Sequence, residues 1–202
     1  MSDQFARRQS LDITSFVGVV SDSHINQRMS AIPSEVKSIL CGASLILHAG
    51  DITKPFVLEI LQEIAPVIAV RGNKDFFFPR LPLQVDLLIN QVPVTLTHSH
   101  GGILGYLYQW FLYFTRGYTH QFHHSRILKE HKNSRVIVFG HTHLPVCQWH
   151  GETFLFNPGS LGPSYLPKST GPKVGRLFFK DGKVTGEIIN VDTGMVIDST
   201  RN

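Results

Sequence analysis

Cysteine is scarce: Cys41 and Cys147 are the only two in 202 residues. Two thiols build neither a disulfide framework nor a thiolate zinc site, so a reducing, cytoplasmic setting is expected. Basic runs are missing as well. The net charge is +4 and the pI about 9.2, yet the cations are scattered. That pattern suits an anionic substrate and argues against nucleic acid as a stable partner. No apolar run reaches the roughly 18 residues that a membrane-crossing helix needs. The opening stretch MSDQFARRQSLDITSF lacks the apolar core, about 7–15 residues long, of a signal peptide; residues 1–14 read as a flexible lead. Linkers, repeats and low-complexity tracts are absent, so one domain is expected over 1–202.

What is abundant is histidine, with eleven copies. Short apolar, β-branched runs also recur, and each breaks into polar residues. Phe16–Val20 runs into SDSH, Ser44–Leu47 towards HAGD, Val67–Val70 into RGNKD, Val92–Leu96 into THSHGG, Val136–Phe139 into GHTH and Thr153–Phe156 into NPGS. Runs of this kind suit strands buried on both faces. Helix-like stretches follow Pro33 (Ser34–Leu40) and Pro55 (Phe56–Leu61), as proline at a helix start predicts. Strands alternating with helices imply a layered α/β fold. Asp181-Gly182 in VGRLFFKDGKVTGEIINV marks a hairpin, so the sheet is mixed with an antiparallel end.

In α/β sheets, sites form beyond the carboxyl ends of strands. Five such ends carry oxygen or imidazole donors: Asp22 and His24; Asp51; Asn73; His98 or His100; His141 and His143. Without thiolates, the set suits Mn, Fe, Zn or Mg. The donors number about twice what a single tetrahedral ion takes. Two ions sharing a carboxylate are therefore expected, and such pairs hydrolyse phosphate esters.

The ordered series Asp22-Ser23-His24, Gly50-Asp51, Gly72-Asn73, Thr97-His98, Gly140-His141-Thr142-His143 and Asn157-Pro158-Gly159-Ser160 resembles the calcineurin-like metallophosphoesterases. The likeness is to their small branch, which holds compact phosphodiesterases and the retromer scaffold subunit. It runs from about Phe16 to Val191. It implies a four-layer α/β sandwich, two mixed sheets flanked by helices, with a dinuclear centre at one edge. Asp22, His24 and His143 would take one ion, Asn73, His98 and His141 the other, and Asp51 would bridge them. The ions would be manganese first, with zinc, iron, magnesium or nickel as substitutes. The implied reaction is hydrolysis of a phosphodiester or phosphomonoester by in-line attack of a bridging hydroxide. A non-catalytic scaffold of the same fold is the alternative; an intact donor series favours the enzyme.

Lys74 stands where many relatives carry a histidine acid, and Ser99 where they carry glycine. Lys74 and His100 are therefore the candidate catalytic residues, with a metal-bound water as the other proton source. Asn73 and Arg116 are candidate substrate-binding residues. His48 reads as a turn cap, and His120, His123, His124 and His131 as surface or helix residues without a role at the metals. The segment Ile103–Phe114, within an aromatic insert over 103–124, suits burial in the domain, a homodimer contact, a substrate lid or a lipid surface.

Overall fold

The computed structural model describes residues 8–25, 31–100, 120–163 and 171–200. The segment Ile103–Phe114 and Arg116 lie outside the described residues.

Two mixed sheets carry the architecture. The first has the order β1(Gln9–Leu11), β5(Gln84–Ile89), β6(Val92–Thr97), β7(Val136–Phe139), β9(Thr153–Asn157), β8(Val146–His150). The second runs β12(Val196–Thr200), β11(Lys183–Asn190), β10(Lys173–Lys180), β2(Val17–Val20), β3(Leu45–His48), β4(Val67–Ala69). In each sheet, three neighbouring strands are parallel: β2, β3 and β4 in one, β6, β7 and β9 in the other. Antiparallel hairpins extend both sheets. The β10–β11 turn places Asp181 at φ 52° and Gly182 at φ 71°, the backbone that an Asp-Gly hairpin turn requires.

Three apolar clusters define four layers. Val17, Val19, Leu45 and Leu47 of the second sheet meet Val94, Leu96, Val136, Val138 and Phe156 of the first between the sheets. On the outer face of the second sheet, Val20 and Ile46 pack with Val36 and Leu40 of α1(Glu35–Leu40) and Val57 and Leu61 of α2(Pro55–Gln62). On the outer face of the first, Ile137, Phe139 and Leu155 pack with Ile127 of α3(His120–Glu130). Strands β2, β3 and β7 are buried along their whole length, as strands covered on both faces must be. The four-layer sandwich expected from the sequence is therefore present. Part of the stretch read as a flexible lead is strand: Gln9–Leu11 pairs parallel to Leu87–Ile89. Among the described residues no helix is long and apolar enough to cross a membrane.

Because β2, β3 and β4 are parallel, their carboxyl ends share one edge, and those of β6, β7 and β9 share the edge facing it. Bonds between the sheets hold the two edges together. Leu161 N donates to Ser21 O (2.9 Å) and Gly162 N to Asp22 O (3.0 Å).

Candidate metal centre

Every predicted donor lies just after a strand that ends at this shared edge. The chain must turn sharply there while the side chain points back across the edge. Asp22, His24, Asp51, His141 and His143 all adopt positive φ, from 48° at His24 to 69° at His141. Left-handed backbone costs a non-glycine residue about 1 kcal/mol or more and persists where neighbouring contacts enforce it. Asp22 N donates to Gly50 O (2.9 Å) and His24 N to Asp51 O (3.2 Å), so the loops after β2 and β3 brace each other. The motif glycines have steric reasons. A Cβ on Gly72 would collide with the backbone N and Oδ1 of Asp51, and one on Gly140 with Ser21 Oγ.

Two groups of donors form. In the first, His24 Nε2 and His143 Nε2 are 3.2 Å apart, and Asp22 Oδ1 lies 3.3 Å from His143 Nε2 and 3.8 Å from His24 Nε2. In the second, Asn73 Oδ1 sits 3.0 Å from His98 Nε2 and 3.1 Å from His141 Nδ1. Asp51 stands between them, with Oδ2 3.6 Å from His24 Nε2 and Oδ1 3.5 Å from His98 Nε2. The carboxylate thus turns one oxygen to each group. Asp22 also contributes to both sides, since Asp22, Asp51 and His98 converge as a second possible ligand triad.

The electrostatics suit a cation. Asp22 Oδ1 is buried and has no hydrogen-bond partner among the described residues, which is costly for a carboxylate oxygen unless a positive charge faces it. His98 Nδ1 lies 2.7 Å from the Ala49 carbonyl and can only donate there, so in the neutral ring Nε2 points a lone pair at Asn73 Oδ1. Burial opposes protonation of His98, yet Asp51 and Asp22 outweigh it and raise the pKa. Burial, opposed by His98 and reinforced by Asp22, pushes Asp51 up to about 6. Burial also works to raise Asp22, but the charge of His143, with those of His98 and His24, holds it far below the usual carboxylate range. The same field that draws a proton to His98 would draw in a divalent ion, and the donor set fits one.

A model of the calcineurin-like phosphoesterase superfamily domain matches residues 16–176. The chain belongs to this superfamily. It is 36% identical over 177 residues to a probable metallophosphoesterase of Methanothermobacter thermautotrophicus, covering 86% of this chain and 91% of that one. Phosphodiesterase YfcE of Escherichia coli is 38% identical over 117 residues, covering 57% of this chain and 54% of that one. Among solved structures, Vps29 of Entamoeba histolytica complexed with zinc superposes with a TM-score of 0.71 at 22% identity, covering 93% of this chain and 98% of that one.

In this calcineurin-like chain, further residues support the site: Asp75 and Ser21 are new to it, Asn157 and Ser160 belong to the motif series, and His48 braces a turn as the sequence suggests. Asp75 is buried and accepts three backbone N–H groups: Asp51 at 2.9 Å, Thr53 at 2.8 Å and Gly72 at 2.7 Å. It thereby locks the Asp51 loop to the Asn73 loop; the signal was its place two residues after Asn73. Ser21 Oγ donates to Asp22 Oδ2 at 2.5 Å, and Ser160 Oγ to Asp22 O at 2.9 Å. Asn157 Nδ2 donates to Gly140 O (3.1 Å) and Thr142 Oγ1 (3.1 Å), which fixes the loop between His141 and His143. His48 accepts from Gly50 N at 3.2 Å and lies 2.8 Å from Ser23 Oγ, so it supports the β2 and β3 turns.

The remaining candidates divide. His100 reaches the edge, with its ring 5.5 Å from His98 and 6.4 Å from His141. Burial, helped by His98, lowers its pKa to about 4, so at neutral pH the ring is uncharged and does not serve as a proton-donating imidazolium. Lys74 donates its backbone N–H to Asp51 Oδ1 at 2.8 Å. His123 departs from expectation: it is on α3 but buried, bonded to Ser99 Oγ at 3.1 Å and 6.4 Å from the ring of His141. His124 is buried too, packed edge-on against Phe139.

Proposed function

We propose that this chain is a metal-dependent phosphoesterase acting on a phosphodiester or phosphomonoester, with diesters preferred. The observation that carries the reading is the convergence of seven donors, from five strand ends of two sheets, around a buried carboxylate oxygen. Asp22, His24 and His143 would hold one divalent ion, Asn73, His98 and His141 a second, and Asp51 both. Bound there, manganese or a similar pair would neutralise the phosphoryl group and supply hydroxide near neutral pH. The chain's own residues do the rest. The bond from His98 to Ala49 O fixes which nitrogen faces the site, and Asp75 holds Asp51 and Asn73 in register. Lys74, beside Asp51, would add positive charge next to the phosphoryl oxygens. His100, neutral at pH 7, would accept a hydrogen bond from substrate or water. The scarcity of cysteine supports a cytoplasmic setting.

A protein-binding scaffold is the second reading, favoured by the likeness to Vps29. Since a Vps29 has been solved with zinc, metal content alone does not separate the two, whereas turnover does. The test is hydrolysis of bis(p-nitrophenyl) phosphate with added manganese, beside metal analysis. Wild type should hold close to two ions and turn over. Asp51→Asn should lose at least about a hundredfold in rate and most of its metal while keeping its circular dichroism spectrum. No turnover by wild type with any of Mn, Zn, Fe, Mg or Ni would favour the scaffold.

A further inference from the structure

We propose that Phe76, Phe77 and Lys54 form a stacking platform at the rim of the metal edge, which selects phosphate esters whose alcohol carries a flat aromatic ring such as a nucleobase. The proposal rests on the phosphoesterase reading above.

The loop between β4 and β5 is well braced. Arg71 N donates to Pro82 O at 2.8 Å and the Arg71 guanidinium to Pro79 O at 3.1 Å. Inside it, Phe78 N donates to Asp75 O (3.1 Å) and Leu81 N to Phe78 O (3.2 Å). Asp75 roots the loop in the metal edge. The loop also sorts its own apolar residues. Phe78 and Leu81 turn inward onto the core under the second sheet. Phe76 and Phe77, their immediate neighbours, are 78% and 65% exposed. Isolated exposed apolar residues are ordinary; two adjacent phenylalanines on a hydrogen-bonded loop rooted at the candidate site are not.

Their position ties them to that site. Lys74, whose N–H bonds Asp51, precedes Phe76 by two residues, at most about 7 Å of chain. From the other side comes Lys54, three residues after Asp51, with Nζ 4.6 Å from the centroid of the Phe77 ring. That contact orients the ring and places a positive charge beside it. An edge suited to phosphate, a nearby cation and two exposed aromatic rings match a phosphorylated ligand with a π-face of its own. Stacking tolerates any base, because each has such a face. An acyl chain would call for an enclosed apolar groove, and an exposed pair on a turn does not provide one.

The test uses the metal-loaded full chain and compares wild type with Phe76→Ala/Phe77→Ala. Calorimetry measures binding of adenosine 5′-monophosphate and of inorganic phosphate. Kinetics compares a nucleoside-bearing phosphodiester with glycerophosphoethanolamine, which has no ring. Wild type should bind the nucleotide about fivefold or more tighter than phosphate. The double variant should lose that preference with its phosphate affinity unchanged, and Phe76→Tyr/Phe77→Tyr should restore it. Equal affinity for nucleotide and phosphate in wild type overturns the proposal. So does a preference that survives in the double variant, or a variant that loses only binding to anionic phospholipid vesicles. A wild-type chain that shows the nucleotide preference but hydrolyses neither ester sinks the phosphoesterase reading and leaves the platform standing. Hydrolysis of both esters with equal KM sinks the platform alone.

Discussion

Individual buried polar residues at this edge act as braces, and two of them yield direct tests. His48 is buried, and that burial lowers its pKa from 6.5 to about 4, with Asp75 and Asp22 pulling the other way. Between those values the unfolded chain binds a proton that the folded chain refuses. The contribution of His48 is therefore complete above pH 6.5 and is lost as pH falls through 4, an effect on the order of 3 kcal/mol. His48→Asn keeps an acceptor for Gly50 N but does not titrate. In urea titrations with chelator present, it should flatten the fall in stability between pH 6.5 and 4; an unchanged slope would remove His48 as the cause. Asp75→Asn replaces one of two oxygens with an N–H₂ group facing N–H donors. It should cost about 2 kcal/mol or more and weaken metal binding, because Asp51 and Asn73 lose their common anchor. Unchanged stability and metal affinity would argue against that anchor role.

Among the elements, α3 does more than cover a sheet. Besides Ile127 in the outer core, it sends His123 to Ser99 Oγ and the Arg126 guanidinium to the Ser99 carbonyl. Ser99 follows His98 and holds φ 65°, a conformation that glycine would adopt without strain. The two contacts offset that strain and clamp the loop that presents His98. His123→Ala, which the sequence suggested would be silent, should lower affinity for cobalt(II) by about tenfold, the usual scale for a group that orients metal ligands. Cobalt absorption titration reads this without any substrate. Unchanged affinity would reduce His123 to packing. The sequence allows a helix here but does not delimit it, because HQFHHSRILKE is mostly polar and lacks a clean apolar stripe, whereas α1 and α2 are marked by the prolines before them.

At the level of the whole molecule, the donors come from both sheets: Asp22, His24, Asp51 and Asn73 follow strands of one, and His98, His141 and His143 follow strands of the other. Bound ions would therefore staple the two halves of the sandwich at one end. Metal should raise Tm, by mass action, with the logarithm of its excess over Kd; an excess of about 100-fold contributes near 2.7 kcal/mol. Chelation should lower Tm and, in hydrogen exchange, deprotect the carboxyl ends of β2, β3, β6 and β7 before their amino ends. Uniform loss of protection, or none, would count against a staple between sheets.

The parallel cores, and the candidate donors that converge at their edge, are legible in the sequence alone. Runs such as Val136–Phe139 are legible because strands buried on both faces must be continuously apolar, and Gly-Asp, Gly-Asn and Gly-His stand out because only glycine fits where strand ends crowd together. Local pattern alone did not reveal the edge strands β1, β8 and β12 or the partly exposed β5 beside β1, since strands exposed on one side or at an edge lack such runs. Nor did it reveal which histidines outside the motifs are buried. His123 and His131 look alike in sequence, yet only His123 faces Ser99 and His141. That outcome depends on where α3 docks, and docking is decided by contacts between residues far apart in the chain.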